Sequence, residues 1–137
     1  MLELLMQLLV GLGCLLLAFL ITSRAKYYLR TLNVRHVSLA DVAKVCGDLQ
    51  TVILDVRTQE EYGEGHIPGA LLLPLYELAE RMGEVPQDRP VYVICYSGER
   101  SLQAVKFLMS QGYSQVFHVS QGMEQWQGAV ITNSELK

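Results

Sequence analysis

Between Leu4 and Ser23 the chain runs for 20 residues without one charged side chain. As an α-helix rising about 1.5 Å per residue, that stretch is roughly 30 Å long, the thickness of a bilayer's hydrocarbon core. Twelve of the 20 residues are Leu, Ile, Val or Phe, which at about −0.3 to −0.6 kcal/mol each favour insertion by roughly 4 to 7 kcal/mol. Residues 1–23 are therefore expected to form one transmembrane anchor in contact with lipid. A cleaved secretory signal needs a positive amino-terminal region and a small-x-small cleavage site, whereas here Glu3 precedes the run and no Ala-x-Ala precedes Arg24. A lipoprotein signal fails too, since Gly11 stands three residues before Cys14 where Leu is required.

Arg24, Lys26, Arg30 and Arg35 follow the apolar run and only Glu3 precedes it. Positive flanks stay in the cytoplasm, so the expectation is a single-pass protein of the inner membrane with its carboxyl-terminal portion on the cytoplasmic side. Residues 24–35 read as a basic juxtamembrane linker, with Tyr27 and Tyr28 suited to the headgroup region. From His36 onward the charges are 7 basic and 13 acidic, and the whole chain carries a net −3. No basic field exists to gather phosphates, which argues against nucleic-acid binding. The remaining length suits one domain, placed at 36–130, with a tail at 131–137.

Ser38 with Asp41 is a capping pair that opens a short helix through about Cys46. The β-branched run Thr51–Val56 reads as a strand buried on both faces. Thr58 with Glu61 caps a helical turn, and Gly63, Gly65 and Pro68-Gly69 then impose a loop. Strands are expected at Ala70–Leu73, Val91–Ile94 and Gln115–Val119, and helices at Leu75–Met82 and Glu99–Gln111, the latter stopped by Gly112. A short helix carrying Trp126 follows. Strands alternating with helices imply a mostly parallel sheet covered on both faces.

The chain has three cysteines, Cys14, Cys46 and Cys95. A reducing cytosol disfavours structural disulfides, and neither Cys-x-x-Cys nor His-Glu-x-x-His is present, so no metal site and no cofactor are expected. The pairs Gly11/Gly13 and Gly63/Gly65 lack the third glycine of a dinucleotide loop. Cys46 ends an amphipathic helix and reads as core. Cys95 differs, because it directly follows the strand VYVI and precedes Tyr96-Ser97-Gly98-Glu99-Arg100-Ser101 and a helix. The mouth beyond the strand carboxyl ends is where open α/β sheets bind ligands. A loop curling into a helix N-terminus aims N–H groups at its centre, Gly98 lets the backbone turn, and Arg100 adds a cation; such surroundings favour the nucleophilic thiolate.

From Val34 to Gly128 the sequence resembles the rhodanese-like family. The resemblance rests on Asp55-Val56-Arg57 with Glu61-Tyr62, on Gly65-His66-Ile67-Pro68-Gly69-Ala70, and on the loop from Cys95 to Ser101, in that order; Gly122 and Trp126 fit the family's end, although Gln121 stands where a second glycine is common. It implies a five-stranded parallel sheet flanked by helices, with Cys95 carrying a sulfane sulfur as a persulfide in a cradle made by Tyr96, Ser97, Gly98, Glu99, Arg100 and Ser101. It also implies that Asp55 and Arg57 brace loops, with Arg57 pairing with Glu61, while His66 reads as a packing and hydrogen-bonding residue. Similar members that act on phosphate or arsenate have a loop one residue longer than Cys95 to Arg100. Sulfur transfer is therefore expected.

The loop lacks the two basic residues of thiosulfate-type members and the Gly-Ser/Thr-Gly of mercaptopyruvate-type members. Glu99 adds negative charge near the entrance, which opposes a small dianionic donor. The expected activity is a membrane-anchored sulfurtransferase with a sulfane donor and a thiol or cyanide acceptor, one of which can be a protein. The competing reading is a noncatalytic module that docks to, or relays sulfur to, a membrane partner. His36 and His118 flank strands and invite no role, and Tyr96 is expected on the loop rim.

Overall fold

The computed structural model describes residues 1–134; the last three residues of the tail expected at 131–137 lie outside the described residues. The chain divides after Asn33 into two units, each described by itself. The first is one helix, α1 (Leu2–Thr31), apolar on every side and long enough to cross a membrane. It continues well past Ser23, so the basic segment through Arg30 is helical and not a separate linker. Within α1 the hydroxyls of Thr22 and Thr31 donate back to the carbonyls of Ala18 and Tyr27, both at 2.9 Å. Each hydroxyl is thus satisfied within the helix itself.

The second unit is a five-stranded sheet, all parallel, in the order β1-β5-β4-β2-β3. Its elements run β1 (Arg35–Val37), α2 (Leu39–Val45), β2 (Val52–Asp55), α3 (Gln59–Glu64), β3 (Leu71–Leu72), α4 (Leu78–Arg81), β4 (Val91–Ile94), α5 (Glu99–Ser110) and β5 (Val116–Val119). Short 3₁₀ turns flank α4 on both sides, at Leu75–Glu77 and Met82–Glu84, and another spans Met123–Gln125 ahead of Trp126. Both expected capping boxes form: Ser38 and Thr58 each accept from the backbone N–H three residues on, and Asp41 and Glu61 reach back.

Two differences stand out. The linker was expected to run to Arg35, yet β1 begins there and pairs with β5 in the register His36 to His118; three residues are too few to show a period-two pattern. The domain also extends past residue 130, because His66 and Ile131 exchange both backbone bonds at 3.0 and 2.9 Å and the N–H of Asn133 reaches the Gly63 carbonyl.

Alternation along the strands sorts side chains onto two faces. Leu54, Val91 and Val93 join Leu78 of α4 and Ala104, Val105 and Leu108 of α5 in the larger cluster. Ile53 and Ile94 turn the other way, toward Val42 of α2, Ile67 and Val119, with Cys46 and Trp126 packed at the margin. The hydroxyl of Tyr113 donates to the Met82 carbonyl at 2.7 Å and ties the segment after α5 to the turn after α4. Continuing the period from Val91 and Val93 places Cys95 on the α5 face, in the larger cluster.

Residues 34–137 alone are expected to be soluble and to unfold cooperatively in urea, followed by circular dichroism. In that fragment Leu54→Ala, which empties a fully buried position, should cost roughly 2–5 kcal/mol; a fragment without a cooperative transition would place the domain boundary elsewhere.

Candidate active site

β4 is the central strand, and Cys95 follows it directly at the carboxyl end of the sheet. The chain must then reverse into α5 within a few residues. Gly98 makes the reversal at φ +98°, ψ −13°, a left-handed conformation that favours glycine. The geometry turns the Gly98 N–H onto Cys95 Sγ at 3.1 Å. The thiol donates to Ser101 Oγ at 3.4 Å, and Ser101 Oγ donates to the Gly98 carbonyl at 3.0 Å. Cys95 is fully enclosed, with 0 % of its surface exposed. An inert core cysteine would be enclosed as well, but this sulfur also sits under a backbone donor at a helix entrance.

The segment after β5 clamps the loop from the other side. Met123 N–H donates to the Cys95 carbonyl at 2.8 Å and Glu124 N–H to the Tyr96 carbonyl at 3.1 Å. The backbones touch closely enough that a Cβ on Gly122 would fall on the Tyr96 carbonyl, and one on Gly98 on that of Ser120. Tyr96 and Ser97 are exposed on the rim, as is Glu99 at the first position of α5. Tyr96 borders a shallow depression of about 400 Å³ shared with Arg57, Glu61, Glu64, Gly65, Met123 and Val130.

The charges pair otherwise than the resemblance implies. Arg57 does not meet Glu61; it forks onto Asp55, with Nη2 to Oδ2 at 2.7 Å and Nε to Oδ1 at 3.0 Å. Asp55 is fully buried, and an ionised carboxylate there needs a cation and donors at once. Arg57, two residues on, supplies both, its own backbone N–H reaching Oδ1 at 3.0 Å. The same guanidinium donates to the Gly65 carbonyl at 2.8 Å, which braces the glycine loop. Glu61 takes Arg100 instead, in a two-pronged pair at 2.7 and 2.8 Å. Arg100 therefore ties α5 to α3, and its charge is matched rather than left for the loop. The Arg100 hydrogen bonds, assisted by the Thr58 N–H and against partial burial, pull the Glu61 carboxyl down to about 2.

His66 is buried, with its ring stacked on Tyr62 at 3.6 Å and Nδ1 2.8 Å from the Tyr62 carbonyl, a packing and hydrogen-bonding position. Among the described residues no group of His, Cys, Asp and Glu is arranged to hold a metal, and Cys14, Cys46 and Cys95 are free thiols. Sequence reasoning missed His118, whose Nε2 lies 2.8 Å from the Gly98 carbonyl. It also missed the clamp at Met123, for which Gly122 was the one available signal.

A family profile for the rhodanese-like domain matches residues 38–129. A Bacillus subtilis protein named as a sulfur carrier, YrkF, is 42 % identical over 85 residues, covering 62 % of this chain but 46 % of its own length. This chain thus spans about half of that relative. A sulfurtransferase of Allochromatium vinosum is 39 % identical over 68 % of this chain and 88 % of its own. Among solved structures, a rhodanese-related protein from Thermoplasma volcanium aligns with a TM-score of 0.65 at 31 % identity, over 71 % of this chain and 97 % of the other.

Two stability measurements follow from this geometry. Because the folded Glu61 carboxyl sits near 2 against an ordinary 4.5, its contribution is fully present above about pH 4.5 and is lost as pH falls through about 2. Glu61→Gln keeps the cap's acceptor, so it should lower stability by about 1 kcal/mol at neutral pH and by almost nothing near pH 2. A gap that is constant with pH would contradict the pairing. Gly98→Ala should lower Tm more than Gly69→Ala, since both glycines have positive φ but Gly69 has open space where a Cβ would go.

Proposed function

The chain belongs to the rhodanese-like domain family, and on that premise we propose that it is a membrane-anchored sulfurtransferase working through a persulfide on Cys95. The observation that carries the reading is the Cys95 sulfur held under the Gly98 N–H where the central strand enters α5. In the first step the Cys95 thiolate attacks the outer sulfur of a sulfane donor. The Sγ–S bond forms, the donor's S–S bond breaks, and the donor leaves with the electron pair as a thiolate or sulfite. In the second step an acceptor thiolate or cyanide attacks that outer sulfur, the Sγ–S bond breaks, and the Cys95 thiolate returns. The Gly98 N–H faces Sγ at 3.1 Å, where it stabilises the thiolate that attacks in the first step and returns in the second. Ser101 Oγ takes the thiol's proton in a hydrogen bond at rest, and it can rotate to donate once the sulfur is anionic. Tyr96, Ser97 and Glu99 form the exposed rim that a donor meets first.

One feature favours a relay between proteins over turnover of a small anion. Arg57 is matched by Asp55 and Arg100 by Glu61, so neither guanidinium at the site is uncompensated toward a dianionic donor. A persulfide borne by a protein or by a small thiol carries less charge and suits this cradle better, in line with the similarity to a protein named as a sulfur carrier. The anchor belongs to the same reading. α1 spans the bilayer and the basic residues from Arg24 to Arg35 hold the domain on the cytoplasmic side, where sulfur passes to or from a membrane partner.

Intact-mass analysis of the full chain in detergent, after exposure to thiosulfate or to a low-molecular-weight persulfide, tests this directly. One added sulfur atom is expected, absent in Cys95→Ser, with faster loading from the persulfide. Loading that survives Cys95→Ser would overturn the mechanism, and rapid cyanide-dependent turnover of thiosulfate would overturn the preference for a relay. A reporter fused after Lys137 should behave as cytoplasmic.

A further inference from the structure

The parallel register of β1 and β5 sets His36 opposite His118. Their rings meet edge to face, with centroids 4.9 Å apart and Nδ1 to Nδ1 at 2.9 Å. The other nitrogen of His118, Nε2, lies 2.8 Å from the Gly98 carbonyl oxygen. A carbonyl oxygen only accepts, so Nε2 carries a hydrogen. His118 is 4 % exposed, and burial, together with the neighbouring His36, holds it below its ordinary value against the raising effect of the Gly98 bond. A neutral imidazole with its hydrogen on Nε2 has a bare Nδ1, which must accept from Nδ1–H of His36. The pair is thus set in one tautomeric arrangement, with the donor end of His118 aimed at the cysteine loop.

The Gly98 carbonyl is the first acceptor of α5, and three donors converge on it: His118 Nε2 at 2.8 Å, Ser101 Oγ at 3.0 Å and Leu102 N at 3.2 Å. Ser101 is fully buried, and its oxygen is also the acceptor for the Cys95 thiol at 3.4 Å. A hydroxyl has one hydrogen. When Cys95 becomes a thiolate, that hydrogen serves best on sulfur, and turning it there takes it from the Gly98 carbonyl. Losing a donor is costly for a buried carbonyl unless another remains. Two donors remain, the Leu102 N–H at 3.2 Å and His118 Nε2 at 2.8 Å, and the His118 contact is the shortest of the three.

We propose that His118 is a positioning residue for sulfur transfer: by holding the Gly98 carbonyl it frees the Ser101 hydroxyl to turn onto the Cys95 sulfur. The inference rests on the persulfide reading of Cys95, and it adds a residue outside the loop that acts on the sulfur through Ser101. His36 sets the tautomer of His118 from the adjacent strand. Without His118 the Gly98 carbonyl has only the Leu102 N–H, its longest contact, beside the hydroxyl, so the hydroxyl stays engaged there and the thiolate keeps the Gly98 N–H alone.

The test uses the full chain in detergent with Cys14 and Cys46 replaced by Ser, and two independent readouts on Cys95: alkylation by iodoacetamide and sulfur loading by intact mass. His118→Phe should slow both by roughly two- to tenfold, the effect of one neutral hydrogen bond, and His118→Gln, whose amide N–H can reach a carbonyl, should recover most of the loss. Ser101→Ala should cost less in the His118→Phe background than alone, because the two act as a unit. Imidazole ¹⁵N spectra of the parent should show hydrogen on Nε2 of His118 and on Nδ1 of His36. A His118 with a bare Nε2, additive effects of the two substitutions, or His118→Phe reacting at the parent rate would each overturn the proposal. If the His118 substitutions alter alkylation while no form of the protein accepts sulfur, the persulfide reading fails and the positioning of Ser101 stands. If sulfur loads normally in every His118 variant, the reverse holds.

Discussion

Every contact at the site depends on one backbone reversal. A strand that ends at Ile94 can feed a helix starting at Glu99 only if the chain turns back within the four residues between them, and the left-handed Gly98 is where it does so. That conformation sends the Gly98 N–H toward the sulfur and the carbonyl of the same residue the opposite way, to His118 and Ser101. The close approach of Ser120 and the Gly122–Met123 clamp leave no room for a side chain on this turn. The entry into α5 and the backbone donor over the sulfur are therefore consequences of a single dihedral pair.

Electrostatics at the same end of the sheet is organised by compensation. Asp55 is buried and Arg57 forks onto it, so its carboxyl oxygens are met by donors on the spot. That use of Arg57 leaves Glu61 to Arg100, which then joins the first turn of α5 to the first turn of α3. The pairings are coupled: once the deeper carboxylate takes the nearer guanidinium, the partly exposed one is matched by a residue 39 positions away. The outcome is a loop that sets a backbone N–H and a hydroxyl oxygen beside the Cys95 sulfur, with the Arg100 charge already paired.

What was legible in the sequence follows the range of the interaction. Capping boxes at Ser38 and Thr58 span three residues, and β4 at Val91–Ile94 is bounded by local chemistry, so both were readable from neighbours. Arg57 was expected to meet Glu61, four residues away on a helix start, but the strand end places Asp55 nearer, and only the fold makes that choice. β1 has three residues and no pattern of its own; its existence depends on β5. The role of His118 depends on β5 lying beside β4, which brings its ring to a carbonyl 20 residues earlier in the chain. Long-range pairing of this kind leaves no mark in spacing.

The enclosure of Cys95 changes which atom does the chemistry. In the resting protein Sγ lies inside the larger apolar cluster with none of its surface exposed. In a persulfide the reacting atom is the outer sulfur, displaced from Sγ by one S–S bond of about 2.0 Å. On the proposed reading that difference matters, because the outer sulfur would reach further out than Sγ while Sγ stays under the Gly98 N–H. On the persulfide reading, burial of Sγ and reach of the outer sulfur are therefore compatible, because the enclosed atom and the atom passed on are different ones.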